Sequence, residues 1–352
     1  MWVPALEYDD FQDVTDIYSS RPSFPRYRVS VHNNLLSHRA PTIETLRLKF
    51  WLGSLQPEDI KLWLGIAVSR CVRELSISCY SNGDEPDCAL PRNKILVDAG
   101  ASSYLPCLET LQLLYVTYSS EDSLRLLLSC CPVLENLVIE RDTTEDNVKG
   151  LVVAVPSLRR LSLRIGFECS YDGYVIDTPY LKYLKVEDYR DSLSYLVKCV
   201  TKLEEADIVV KKDLDEFLES SPVLTSVNRL SLQVLFYNEE ESEYGAGIIF
   251  NQLEHLKLSI CGSNYWSKLL FRLLKDSPSL RVLNLKVAYP PFGEYKQINW
   301  EDEWNLIPNC LLKTIETFEF AGCKEGSPQE RDFLSFFCKN ARCLKSTSSI
   351  LC

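Results

Sequence analysis

Three histidines, His32, His38 and His255, are all that 352 residues offer as side-chain bases near neutral pH. No Gly-x-Ser-x-Gly elbow accompanies them, so a hydrolase triad has no anchor. Thirteen glycines include Gly245 and Gly247, but position 250 is Phe, and neither the dinucleotide-loop nor the P-loop spacing occurs. Fourteen cysteines contain no Cys-x-x-Cys pair, which removes the usual ligand spacing of a structural zinc site. No apolar run approaches the roughly eighteen residues of a membrane-spanning helix. A basic stripe is missing too: 38 Lys and Arg stand against 49 Asp and Glu, the formal charge is -11, and the densest basic spot is Lys211-Lys212. A nucleic-acid backbone would be repelled by that balance. The acidic runs Glu239 to Glu241 and Glu301 to Glu303 lie in expected loops without EF-hand spacing and read as solvated charge. The start of the chain lacks signal-peptide character, so the thiols are expected to stay reduced and the protein to be cytoplasmic and/or nuclear.

What is present is repetition. An apolar residue followed by others at i+3 and i+5 recurs at Ile43/Leu46/Leu48, Val72/Leu75/Ile77, Leu108/Leu111/Leu113, Leu134/Leu137/Ile139, Leu158/Leu161/Leu163 and Leu181/Leu184/Val186. It continues at Leu203/Ala206/Ile208, Val227/Leu230/Leu232, Leu253/Leu256/Leu258, Leu280/Leu283/Leu285 and Ile315/Phe318/Phe320. Successive copies lie 22 to 36 residues apart, the spacing of leucine-rich repeats. The two-residue step from i+3 to i+5 is that of a short strand with one buried face. In six copies a proline stands two residues before the first apolar position, where a connection ends and a strand begins. Helical spacing is expected over Pro57 to Ser69, Ser120 to Cys130, Asp213 to Ser220, Trp266 to Ser277 and Gln329 to Asn340. The other connections are too short or too polar for more than turns. The fold class is therefore α/β, a leucine-rich-repeat solenoid with a curved parallel sheet on one side and helices and loops on the other.

Several stretches also resemble one plant family, the F-box proteins with leucine-rich repeats and a C-terminal FBD domain. They are Val31-His-Asn-Asn-Leu-Leu-Ser-His-Arg-Ala-Pro-Thr-Ile-Glu-Thr-Leu46, Leu64-Gly-Ile-Ala-Val-Ser-Arg-Cys-Val-Arg-Glu-Leu75 and Asp122-Ser-Leu-Arg-Leu-Leu-Leu-Ser-Cys-Cys-Pro-Val-Leu-Glu-Asn-Leu137. At the end, Trp304, Pro308, Cys310-Leu-Leu, Ile315-Glu-Thr-Phe-Glu-Phe320 and Lys339-Asn-Ala-Arg-Cys-Leu-Lys345 fall in family order. The resemblance implies a post-F-box remnant and N-terminal cap over 1–40, irregular repeats over 41–290, and an FBD-like strand-helix-strand unit over 295–352. In the family an F-box precedes Trp2-Val-Pro-Ala-Leu-Glu-Tyr-Asp-Asp10, which here follows Met1 directly. The expectation is a chain that starts where the F-box ends.

No catalytic, cofactor or metal site emerges from these residues, and a non-enzymatic interaction module is expected. It resembles the substrate-recognition part of a plant F-box receptor of SCF-type ubiquitin ligases. The alternative is a shortened gene model of a complete F-box substrate adaptor. Side chains between the buried strand positions are the candidates for contact with a protein or peptide: Arg47, Lys49, Gln112, Glu140, Arg164, Lys185, Glu187, Lys257, Asn284 and Lys286. A Skp-type adaptor is expected as a partner only where an F-box stands upstream of Met1; neither nucleic acid nor membrane is expected.

Overall fold

Five of the repeats begin with a turn that a proline sets. In Leu105-Pro106-Cys107-Leu108 the Leu108 N–H donates to the Leu105 carbonyl, and the same i to i+3 bond closes the turns at Pro132, Pro156, Pro179 and Pro278. Proline at the second turn position has its φ already in place and no N–H to leave unmet. Pro41 is the exception: Ile43 N–H donates instead to the Arg70 carbonyl, 3.1 Å away. Directly after the turns at Pro106, Pro132, Pro156 and Pro278, successive N–H groups share a carbonyl of the preceding rung, as Glu109 and Thr110 do with Arg73, and Glu135 and Asn136 with Glu109. The strands thereby start in register.

A computed structural model describes residues 5–9, 24–38, 40–51, 57–80, 104–116, 118, 121–141, 150–167, 169, 173–190, 195–198, 200, 203–211, 214–235, 248–261, 266–288, 307–322 and 328–351. The chain divides into two compact units, Met1–Leu181 and Lys182–Cys352.

The first unit holds β1 (Ala5–Asp9), α1 (Phe24–Ser37), β2 (Thr45–Trp51), α2 (Pro57–Ser69), β3 (Glu74–Tyr80), β4 (Thr110–Leu114), α3 (Glu121–Ser129), β5 (Asn136–Arg141), β6 (Leu151–Ala154), β7 (Arg160–Ile165) and β8 (Tyr174–Asp177). β1, β2, β3, β4, β5 and β7 pair in that order, all parallel. α2 ends in a Schellman motif: Val72 N–H reaches the Ala67 carbonyl and Cys71 N–H the Val68 carbonyl. Cys71 thus takes the left-handed position, with φ of 50°, that glycine usually fills.

The second unit holds β9 (Tyr183–Asp188), β10 (Tyr195–Lys198), β11 (Glu205–Val210), α4 (Leu214–Ser220), a short 3-10 helix (Pro222–Ser226), β12 (Arg229–Leu235), β13 (His255–Cys261), α5 (Trp266–Lys275), β14 (Val282–Ala288), α6 (Asn309–Lys313), β15 (Thr317–Gly322), α7 (Pro328–Asn340) and β16 (Ser346–Leu351). β9, β11, β12, β13, β14, β15 and β16 form its parallel ladder. α5 buries Trp266, Leu269, Leu270, Leu273 and Leu274, the face its spacing predicts. The C-terminal strand-helix-strand unit packs by aromatic rings. Phe318 stacks on Phe337 at 3.9 Å, and Phe333 meets Trp266 edge-on at 5.1 Å.

Both ladders are the expected leucine-rich-repeat arrangement, and the eleven apolar triplets form their core. Every residue of those triplets is at most 3% exposed. At about 1.5–3 kcal/mol for each fully buried large aliphatic side chain, the stacked triplets dominate the favourable side of folding. Four strands were not expected from the spacing. Residues 5–9, within the stretch expected as remnant and N-terminal cap, form a strand that the spacing did not mark and that extends the ladder beside β2. Connections expected to be turns contain the short strands β6, β8 and β10; β6 and β8 pair in parallel from Leu151↔Tyr174 to Ala154↔Asp177. Burial explains the second point: Leu151, Val153, Tyr174 and Ile176 all turn inward. Trp300, Trp304 and the two acidic runs lie outside the described residues.

Candidate functional site: the outward face of the strands

Strand alternation sends every second side chain away from the core. In the first unit the parallel register aligns Glu7, Arg47, Ser76, Gln112, Val138 and Ser162 in one outward row. The next row runs Asp9, Lys49, Ser78, Leu114, Glu140 and Arg164. Arg47 and Arg164 are exposed; Lys49, Gln112 and Glu140 are half-buried. In the second unit one row joins Lys185, Asp207, Ser231, Lys257, Asn284 and Glu319, and a second joins Glu187, Val209, Gln233, Ser259 and Lys286. Lys257 and Lys286 are exposed, whereas Lys185, Glu187 and Asn284 are half-buried. Each unit therefore brings its own share of the sequence candidates onto one face.

Their electrostatics differ from what a list of charges suggests. Lys49 Nζ donates to Glu7 Oε1 at 2.8 Å and to Asp9 Oδ2 at 3.3 Å. The Glu7 hydrogen bond, ahead of the smaller opposing effect of desolvation, holds the Lys49 ammonium above its ordinary pKa. Arg47 lies 3.9 Å from both Glu7 and Glu74. Lys185 pairs with Glu187 at 2.7 Å, and that bond likewise raises its pKa. These cations are answered within the chain, each by an exposed or half-exposed pair of small energetic weight. Asn284 differs: its Oδ1 is screened from solvent and has no hydrogen-bond donor among the described residues.

The residues just before each strand form a further row that repeat-by-repeat reading passed over. Arg73 Nε donates to Glu109 at 3.0 Å, Arg159 lies 3.3 Å from Glu135, Lys182 2.9 Å from Glu204, and Lys345 2.8 Å from Glu316. A signal existed in the sequence, since a charged residue precedes most strands by one position; its pairing across rungs appears only once the register is known. β1 was missed in the same way. Leu6 and Tyr8 alternate with Glu7 and Asp9, but five residues are too few to separate a strand from a linker.

His255 lies on the outward face of β13, half-buried, at the position its strand placement predicts. Trp63 and Trp266, on the helices α2 and α5, are each 1% exposed. Among the described residues no three His, Cys, Asp or Glu side chains gather as metal ligands, the ten described cysteines are free thiols, and no helix is long and apolar enough to cross a membrane. Surface hollows of about 430 and 460 Å³ lie beside β1 and beside the turn at Pro106. The second is lined by Cys71, Arg73, Cys107 and Glu109, of which the Arg73–Glu109 pair is already closed on itself.

Comparison with known proteins matches two family models. The FBD model covers residues 303–348, and a model described as FBD-associated F-box protein At5g56370, LRR repeats, covers residues 87–243. Among Arabidopsis thaliana relatives, FBD-associated F-box protein At5g60610 is 46% identical over 99% of this chain and 89% of its own length. Putative FBD-associated F-box protein At5g56700 is 50% identical over 99% and 88%, and putative F-box/FBD/LRR-repeat protein At5g62970 is 40% identical over 98% and 83%. With identity sustained along both partners of each alignment and the repeat ladder and terminal unit in place, the chain belongs to the FBD-associated F-box protein family of plants.

Proposed function

We propose that this protein is a non-enzymatic interaction module whose outward strand face docks a target protein or peptide, as the substrate-recognition part of an SCF-type ubiquitin ligase receptor. The observation that carries the reading is the alignment, within each unit, of polar side chains of both signs in rows on strands whose other face is the buried triplets. Such a face offers many weak, spatially fixed contacts, which suits a polypeptide partner. A Skp-type adaptor joins through an F-box where one stands in the same polypeptide. The ten free thiols support a reducing compartment, cytoplasm or nucleus.

Lysine-reactive cross-linking of the full chain in plant extract tests the reading. Cross-links to a captured target are expected at Lys49, Lys185, Lys257 or Lys286, on the outward face, and not at Lys275 or Lys313 on α5 and α6. A target held solely through the helices would sink the platform reading. Abundance of the captured target is expected to rise on proteasome inhibition; a target whose abundance does not respond would remove the ligase role while leaving the docking role.

A further inference from the structure

Arg229, Lys257 and Lys286 stand apart from the other outward cations. Arg47, Lys49 and Lys185 have carboxylate neighbours. The side chains of Arg229, Lys257 and Lys286 make no hydrogen bond or ion pair with any described residue. They sit on three adjacent strands, β12, β13 and β14, with Arg229 in register with His255, Lys257 with Asn284, and Ser259 with Lys286. The outward positions of these three strands contain no Asp or Glu at all. Among the described residues the nearest carboxylates stand at the edges of this group: Glu254 just before β13, Glu205 in register with Arg229 and Asp207 on β11, and Glu319 on β15. A chain of net charge -11 thus presents a local cationic patch made by Arg229, Lys257 and Lys286. Strands about 4.8 Å apart and a rise of about 3.3 Å per residue make the patch roughly 10 by 13 Å, the reach of a segment of about four extended residues.

Asn284 lies between Lys257 and Lys286, half-buried, with Oδ1 lacking a donor. A carboxamide in this state gains a hydrogen bond when an incoming N–H lets it turn about its last torsion.

We propose that the outward face of β12–β14 binds an anionic segment of a partner polypeptide, with Arg229, Lys257 and Lys286 engaging carboxylate or phosphoryl oxygens and Asn284 accepting a backbone N–H. This rests on the docking-platform reading and narrows it to one partner chemistry. Charge complementarity selects the occupant: cations without a partner among the described residues, on an otherwise acidic protein, attract anions and orient their approach. The interleaved Ser231, Gln233 and Ser259 add short polar contacts suited to a peptide.

Fluorescence anisotropy of the full chain tests this with three labelled probes of equal length: a glutamate-rich peptide, its phosphoserine counterpart, and oligo(dT). At least one peptide is expected to bind, and to weaken about tenfold or more between about 50 and 300 mM NaCl as screening grows. Lys257→Glu/Lys286→Glu is expected to weaken it about tenfold or more, Lys257→Gln/Lys286→Gln by less, and Lys275→Glu/Lys313→Glu by under about twofold. Whichever peptide binds more tightly names the source of the anionic group. Absence of peptide binding, tighter binding of oligo(dT), or indifference to both Lys257/Lys286 variants would overturn the proposal; circular dichroism melts confirm that each variant folds. If the peptides fail while target cross-links persist on the outward face, the platform stands without this chemistry. If both fail, the platform falls with it.

Discussion

Arg190 and Asp188 form an ion pair with both side chains fully buried. Asp188 accepts from Arg190 Nε and Nη2 and from its backbone N–H, and Tyr195 Oη donates to the same carboxylate at 2.6 Å. Arg190 also lies over the Tyr195 ring, which meets Phe217 edge-on, so the pair fastens β10 and α4 to the end of β9. Arg190→Ala leaves a buried carboxylate with its main counter-charge gone and is expected to cost about 3–5 kcal/mol in urea unfolding. Removing both charges with Asp188→Leu/Arg190→Met is expected to cost less than Arg190→Ala alone, because no unpaired charge remains; equal or greater loss would contradict that account. At this scale the outward cations also separate. Lys49 is held by two carboxylates, while Lys257, of the same residue type and strand position class, has none among the described residues.

Elements join where side chains leave room for backbone. Gly322 closes β15 and faces Glu330 in the first turn of α7, and a Cβ at Gly322 would collide with the Glu330 carboxylate. Since Glu330 is only 1% exposed and cannot swing out freely, Gly322→Ala is expected to destabilise the second unit by about 1–3 kcal/mol. Gly65, inside α2, has nothing within 4 Å of the same added atom. Gly65→Ala is accordingly expected to stabilise the first unit by about 0.5–1 kcal/mol through helix propensity. Denaturant melts of the two variants check opposite signs for one chemical change. The five helices expected from spacing all form, within a few residues of their expected ends, because each carries an apolar face that the strands can cover. The four-residue strands β6, β8 and β10 were illegible, since two inward residues cannot distinguish a strand from a turn.

At the scale of the whole molecule, charge runs along the starts of the strands as cross-rung pairs. Glu316 sits between Arg281 and Lys345, and the hydrogen bond from Lys345 is the main cause of a carboxyl pKa below its ordinary 4.5. A depressed carboxyl pKa contributes stability that is fully present above the ordinary value and is lost as pH falls through the folded one. Lys345→Met is therefore expected to lower the urea midpoint at pH 7, with the difference shrinking as pH falls below 4.5 and vanishing once the carboxyl is protonated in the folded protein as well. A difference that survives at low pH would assign Lys345 a packing role instead. By itself the sequence determined the eleven rungs, their inward triplets, the proline turns and the set of outward positions, because period-two alternation and a fixed turn are local properties that each repeat states for itself. Tertiary structure alone decided which charges meet. Glu7 reaches Lys49, Glu109 reaches Arg73, and Arg229, Lys257 and Lys286 gather on three neighbouring strands without a partner among the described residues, since pairing across rungs depends on register between residues far apart in sequence, 42 positions for Glu7 and Lys49.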